Sequence, residues 1–158
     1  MDTKEIAIGS DHVGYALKEK IKTHLEERGY AVKDFGTNTA VRCDYPVFGE
    51  AVASAVSSGA YARGIVICGT GVGISIAANK VKGVRAVCCS EPYSALLSRQ
   101  HNDSNVLSMG ARVVGDGLAF MIVDTWLLGK YEGGRHQTRL DQIAAIEETN
   151  YVSPTLYV

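Results

Sequence analysis

The stretch from Gly64 to Asn79 changes character twice. An apolar, β-branched run, Ile65-Val-Ile67, ends at Cys68, and glycine then stands at every other position through Gly69, Gly71 and Gly73. Ile74, Ile76, Ala77 and Ala78 follow in an order that suits a helix. A buried strand that runs through a glycine turn into a helix belongs to a βαβ unit. Such a turn gathers backbone N–H groups with no helical partner, and those groups together with the helix dipole favour an anion. A thiol at that point meets a field that favours the thiolate. The stretch therefore reads as a basic sulfur at a strand's carboxyl end, beside a cradle for developing negative charge.

Two other readings of the loop stay open at this point. A dinucleotide fingerprint needs Gly-x-Gly-x-x-Gly with an acidic residue about 20 positions further on. Counted from Gly69 the third glycine falls at Ile74, and counted from Gly71 at Ile76, so neither register fits. The phosphate-loop ending Gly-Lys-Ser/Thr is absent too. The second alternative is that Cys68 packs as a small buried hydrophobe, the ordinary fate of a free cysteine.

The rest of the chain repeats the alternation of strand and helix. Ile6-Ala-Ile-Gly9 is the first strand, and Leu17, Ile21 and Leu25 make the apolar stripe of a helix between Lys18, Glu19, Lys20, Glu26 and Glu27, with Gly29 as its stop. Tyr30 to Phe35 is the second strand. Asp44-Tyr-Pro46 opens a helix, as proline can, with Val47, Phe48, Ala51, Val52, Ala55 and Val56 as its apolar face. Ile65 to Cys68 is the third strand and Ile74 to Lys80 its helix. Val84 to Cys89 is the fourth strand, followed by Ser90 as N-cap and Pro92 near the helix start. Tyr93, Leu96 and Leu97 face inward until the helix runs out near His101-Asn102. Val106 to Met109 is the fifth strand. Asp116 caps a helix with Leu118, Met121, Ile122, Thr125 and Trp126 inside, and after Gly133-Gly134 a last helix carries Leu140, Ile143 and Ile146. The tail from Tyr151, broken by Pro154, shows no period. These elements predict an α/β fold with a five-stranded parallel sheet, one domain over 1–150 and a tail over 151–158.

Charge and cysteine usage exclude several classes. A formal net charge of −1 leaves no electrostatic footprint for nucleic acid, and no apolar run approaches the roughly 18 residues of a membrane span. Met1-Asp-Thr-Lys-Glu5 lacks the basic-then-apolar order of a signal peptide. Cys43, Cys68, Cys88 and Cys89 form no Cys-x-x-Cys, and no histidine spacing suits zinc. The expected compartment is the cytoplasm, where thiols stay reduced; Cys43, Cys88 and Cys89 are expected to be packing residues. In a parallel sheet ligands meet the strands' carboxyl ends, which here carry Ser10, Asp11 and His12, then Asp44 and Tyr45, then Cys68 to Gly73, and Arg112. Acid, imidazole, thiol and guanidinium thus share one rim.

Five stretches carry a family resemblance: Gly9-Ser-Asp-His-Val-Gly14, Asp44-Tyr-Pro46, Cys68 through Lys80, Ser98-Arg-Gln-His-Asn-Asp103 and Glu132-Gly-Gly-Arg-His-Gln137. In this order they resemble the ribose-5-phosphate isomerase B family, part of a wider group of sugar-phosphate isomerases that includes galactose-6-phosphate and allose-6-phosphate isomerases. The resemblance reaches from the first strand to about Asn150. It implies a three-layer α/β/α Rossmann-like sandwich and a homodimer with active sites shared between chains; whether dimers pair into tetramers stays open. It also implies that neither a metal nor an organic cofactor takes part. Residue by residue, it implies Cys68 as the base that moves a proton between C1 and C2. Some members carry serine there and a glutamate a few residues on; here the residue four on is Val72, so the cysteine version applies. It implies His101 as the acid that opens the furanose ring, with Asp11 taking the O1 hydroxyl proton. Gly69, Thr70, Gly71, Val72 and Gly73 match the loop that holds the enediolate, Thr70 counting among the catalytic residues. Asn102 matches a ligand of the sugar's reacting end, and His12, Arg112, Arg135 and Arg139 match the phosphate-binding set.

The chemistry makes the same demands. Aldose–ketose isomerisation needs one base with a pKa near working pH, preorganised donors for the enediolate oxygen, and, for a cyclic sugar, an acid such as histidine. Arginine forks match phosphate oxygens in pairs, and Arg135 and Arg139, four apart, share a helix face. Without the resemblance each residue has a plainer use: the arginines as a solvated face, His101 as a helix end, Asp11 as an N-cap. The leading expectation is interconversion of D-ribose 5-phosphate and D-ribulose 5-phosphate in the pentose phosphate pathway. A six-carbon sugar phosphate such as allose 6-phosphate or galactose 6-phosphate is the alternative substrate. A non-catalytic sugar-phosphate sensor is the remote alternative, since fold alone does not exclude it.

Overall fold

The computed structural model describes residues 4–150; the tail expected over 151–158 lies outside them. Five strands, β1 (Glu5–Ser10), β2 (Ala31–Asp34), β3 (Arg63–Cys68), β4 (Ala86–Cys88) and β5 (Val106–Gly110), alternate with α1 (Tyr15–Glu26), α2 (Tyr45–Ser57), α3 (Val72–Ala78), α4 (Pro92–Asn102) and α5 (Asp116–Leu128). A final helix, α6 (Arg135–Asn150), closes the described chain. The sheet order is β2-β1-β3-β5-β4, and every neighbouring pair is parallel.

Side chains alternate across this sheet, as strand geometry requires. Ile6, Ile8, Ile65, Ile67, Leu107 and Met109 join α1, α4 and α5 in one core layer. Ala7, Val66, Cys68 and Val106 join α2 and α3 in the other. The three-layer α/β/α sandwich follows, with Cys68 on the α2–α3 side.

Several helix faces differ from the sequence expectation, each for a physical reason. α5 is nearly all apolar, so its sequence carries no polar stripe to set the inner face. The face is fixed instead by Trp126, whose indole N–H donates to Ser104 Oγ at 2.8 Å; Ala119, Ile122, Val123 and Leu127 go inward with it, while Leu118 and Met121 are exposed. In α4, Ala95, Ser98 and Arg99 are buried and Tyr93 is 71% exposed. Polar contacts turn this helix: Ser98 Oγ meets Ser104 Oγ at 2.8 Å, and Arg99 donates to Asp103 and to the Ser104 carbonyl. Val47 of α2 and Ile143 and Ile146 of α6 are exposed, and Ala53 takes an inward place. β4 is shorter than expected, and its following helix is capped by Glu91 rather than Ser90, the carboxylate accepting from Ser94 N–H at 2.8 Å. Gly115, not Asp116, is the N-cap of α5; the Asp116 carboxylate pairs with Lys20 at 2.5 Å.

The largest departure is Lys18, which the helical pattern put on the wet face of α1. It is 0% exposed. Its ammonium donates to both Asp34 oxygens at 2.7 and 2.5 Å and to the Thr37 carbonyl at 2.7 Å. Burial pushes the Asp34 carboxyl up, but the hydrogen bonds from Lys18, Lys22 and the Gly36 N–H outweigh it and hold the carboxyl below its ordinary value. Asp34 therefore contributes stability that is present above its unfolded pKa and is lost as the pH falls through its lowered folded value. This cation ties the segment after β2 to the sheet, where Thr37 N–H donates to Ser10 O and Ser10 N–H to Gly36 O. Lys18→Met takes the buried ammonium from the half-buried Asp34 carboxylate, which keeps Lys22 at 2.7 Å, and chemical denaturation should record a loss of up to about 3 kcal/mol, the lower end for breaking a buried pair.

Candidate active site

One group of candidates gathers at the carboxyl ends of β1, β3 and β5. Asp11 follows β1 and is buried. Its Oδ1 accepts from the N–H groups of Val13 and Gly14, both at 2.9 Å, so the carboxylate shapes the turn into α1, whose N-cap is Gly14. Oδ2 has no hydrogen-bond partner among the described residues. His12 Nδ1 lies 3.2 Å from both the N and the O of Cys43, accepting or donating according to tautomer.

Cys68 ends β3 and is 4% exposed. Its Sγ accepts from the Gly71 N–H at 3.1 Å. Gly71 has φ +80, a left-handed conformation that glycine adopts without steric cost. A side chain there would also collide: a Cβ would stand 2.7 Å from the Met109 carbonyl carbon and 2.9 Å from Cys88 Sγ. Ser108 Oγ donates to Gly71 O at 2.6 Å and fixes the turn from the β5 side. The N–H groups of Gly69, Thr70 and Gly73 have no partner among the described residues, so they remain free as donors. Thr70 and Val72 are exposed, with Thr70 Oγ1 3.4 Å from the Val72 N–H. Gly73 lies under the Tyr45 ring, where a Cβ would fall 2.6 Å from Tyr45 Cζ. Arg112 runs past Gly69: its Nη1 is 3.9 Å from the place a Gly69 Cβ would take. Because α3 is only seven residues long, the individual N–H groups rather than a long dipole supply the positive field.

A second group gathers elsewhere. His101, Asn102, Arg135, His136 and Arg139 line a cavity of about 440 Å³ between α4 and α6. The end of α4 is anchored firmly. Asp103 takes φ +44 as its C-cap, rare for a non-glycine residue. Its carboxylate is held by Arg99 at 2.8 Å and by Arg85 at 3.0 Å. Arg139 donates to the Arg135 carbonyl at 3.0 Å, one turn away.

The structure does not bring these two groups together within one chain. α4 runs back along the sheet, so its last turn lies by the amino end of β4: Arg85, the residue before that strand, donates to the Asn102 and Asp103 carbonyls. Cys68 stands at the opposite, carboxyl edge. The eleven residues of α4 rise about 1.5 Å each, some 16 Å in all. No hydrogen bond or ion pair among the described residues links the Cys68 loop to His101, Asn102, Arg135 or Arg139.

Sequence reasoning missed several residues here. Ser108 braces the glycine loop from another strand with no local motif to mark it, while Tyr45, which the sequence placed on the rim, covers the loop at Gly73. Cys88 is exposed rather than core packing, and its Sγ donates weakly to Thr70 O at 3.7 Å. Burial, and then the neighbouring Cys68, push its thiol up. Cys89 is buried, as expected, and burial raises its thiol to about 11. His136 stacks on His101 with ring centroids 4.2 Å apart; burial, then His101 and Arg135, push it down. Glu132 completes a set with these two histidines whose ligand atoms lie within 4.8 Å of one another. No helix among the described residues is long and apolar enough to cross a membrane.

Comparison with known proteins covers both groups. Residues 6–143 match the Ribose/Galactose Isomerase family. The chain is 63% identical over 145 residues to ribose-5-phosphate isomerase B of Escherichia coli K12, covering 92% of this chain and 97% of that protein. The ribose-5-phosphate isomerase B of Clostridium thermocellum superposes with a TM-score of 0.92 at 57% identity, covering 93% of this chain and 99% of the other. That of Mycoplasma genitalium, solved with bound ribulose-5-phosphate, superposes with a TM-score of 0.88 at 44% identity over 91% and 96% of the two chains.

Proposed function

The chain belongs to the Ribose/Galactose Isomerase family, and from that membership we propose that it interconverts D-ribose 5-phosphate and D-ribulose 5-phosphate through a cis-enediolate. The observation that carries this reading is the Cys68 sulfur on the Gly71 N–H at 3.1 Å, at the head of a glycine loop with further free donors. Such an arrangement suits a base next to preorganised oxyanion stabilisation.

The roles proposed are those the family resemblance implies. The His101 imidazole gives a proton to the ring oxygen of the cyclic aldose, and the free Oδ2 of Asp11 takes the O1 hydroxyl proton, so the ring opens to the aldehyde. Cys68 removes the C2 proton, and as it does so negative charge builds on the former carbonyl oxygen O1, where the N–H groups of Gly69, Thr70 and Gly73 receive it; Val72 completes that loop. The C2 hydroxyl proton passes to O1 and the sulfur returns its proton to C1, which leaves the carbonyl at C2. Asn102 orients the reacting end. His12, Arg112, Arg135 and Arg139 hold the phosphate.

Because His101 and Cys68 lie at opposite edges of the sheet, this assignment requires two copies. Each site takes the glycine loop, Asp11 and Arg112 from one copy and His101, Asn102, Arg135 and Arg139 from the other. A homodimer with two such sites is the simplest closed assembly. The four thiols are free, which suits a reducing cytoplasm.

The test is a comparison of kcat/KM for ribose 5-phosphate, allose 6-phosphate and galactose 6-phosphate, without added metal. Ribose 5-phosphate should lead. A six-carbon substrate in first place would move the assignment to the alternative sugar, and turnover of none of them would refute it.

A further inference from the structure

One cluster beside the proposed site has members that the reaction leaves unused. Glu132 and His136 bracket the turn into α6 and meet His101 at the end of α4, all three presenting ligand atoms within 4.8 Å of one another. His136 Nε2 is 3.8 Å from a Glu132 carboxylate oxygen, and the two imidazole rings are near parallel at 7°. We propose that His101, Glu132 and His136 form a binding site for a borderline divalent transition metal, Zn²⁺ foremost, and that metal bound there stops the isomerase. The inhibitory half of this proposal rests on the ring-opening role given to His101.

The donor set selects the ligand class. Two imidazoles and one carboxylate match zinc and its neighbours, with a fourth position left for water. Calcium and magnesium prefer oxygen cages and would find a single carboxylate here. The scaffold also holds the donors in place. Glu132 N–H donates to Gln100 O at 3.0 Å, tying the turn to α4 beside His101, and His136 N–H donates to Gly133 O at 3.1 Å. His136 is buried, whereas Glu132 is exposed and free to swing inward. Binding one metal would require the half-buried His101 ring to turn about its Cβ–Cγ bond and give up the ring stack. Arg135 and Arg139 share the cavity and oppose a cation, so the binding is reversible rather than that of a permanent structural zinc.

A metal on the His101 nitrogen occupies the lone pair that must carry the proton for ring opening. The closed sugar then stays closed. The three donors are 31 and 4 residues apart in the chain, which is why no spacing in the sequence announces them.

The test is equilibrium dialysis of the purified metal-free protein against ZnCl₂ in a buffer without phosphate, with isomerase assays in parallel. The expected result is one zinc per chain, removed by EDTA. Glu132→Gln and His136→Asn should each weaken binding at least about tenfold, since losing a donor costs no less than losing a supporting outer-shell group. Cys68→Ala should bind as the wild type does. Glu132→Gln should isomerise at the wild-type rate without metal and need correspondingly more zinc for inhibition. Unchanged affinity in both site variants would overturn the site, and loss of zinc in Cys68→Ala would place the metal on the thiol instead. Zinc bound at this site with isomerisation undiminished would overturn the inhibitory role. An inactive wild type that still loses zinc with Glu132→Gln would sink the isomerase reading and uphold the metal site.

Discussion

Cys68→Ala should lower turnover about 10²–10⁴-fold, the range for removing a general acid or base, while leaving the protein folded. The sulfur is enclosed on the α2–α3 side of the sheet among Val66, Ile74 and Ala78. Its removal leaves a small cavity, costing about 1–2 kcal/mol at most on the scale of one buried heavy atom. KM should move little, because the residues proposed to hold the phosphate and the loop N–H groups are untouched. Serine at this position would restore the shape but not the base, so Cys68→Ser should stay as slow as alanine. Steady-state kinetics beside a thermal melt separates the two effects. Near-normal turnover in either variant would remove the sulfur from proton transfer.

Gly71→Ala should be the most damaging change in the loop itself. An alanine at φ +80 carries about 1–2 kcal/mol of backbone strain. The new methyl would also meet the Met109 backbone at 2.7 Å, and main chain inside a sheet cannot yield as a flexible side chain does. The loop must move, and with it the N–H that faces Cys68 and the Ser108 anchor on the Gly71 carbonyl. A loss of about 10²–10³-fold in turnover is expected, comparable to deleting one oxyanion donor, with a visible drop in melting temperature. Ser108→Ala removes the same anchor without a collision and should give a smaller loss with the fold intact. Full activity in Gly71→Ala would mean that the donors of this loop do not stabilise the reaction.

The sequence made the sheet and the glycine loop legible because both follow from local pattern. Apolar runs of β-branched residues bounded by glycine mark Ile65 to Cys68, and four-residue spacing marks Leu17, Ile21 and Leu25. Faces of helices without a polar stripe were not legible. Nothing local in α5 distinguishes Leu118 and Met121, which are exposed, from Ile122 and Val123, which are buried; the choice belongs to Trp126 and its bond to Ser104. Lys18 reads as a surface lysine until Asp34, from another strand, is known to face it. The same limit applies to the site. Motifs name Asp11, Cys68 and His101 one by one, but the reversal of chain direction in α4 decides that the last of them stands at the far edge of the sheet.

That separation is the centre of the account, and a mixed dimer tests it most directly. Cys68→Ala and His101→Asn chains, each nearly inactive as a homodimer, would be co-expressed with different tags and the heterodimer isolated through both. If each site joins the sulfur of one copy to the imidazole of the other, one of the heterodimer's two sites is wholly intact and about half of the wild-type rate per dimer returns. A heterodimer no faster than its inactive parents would contradict a site shared between copies.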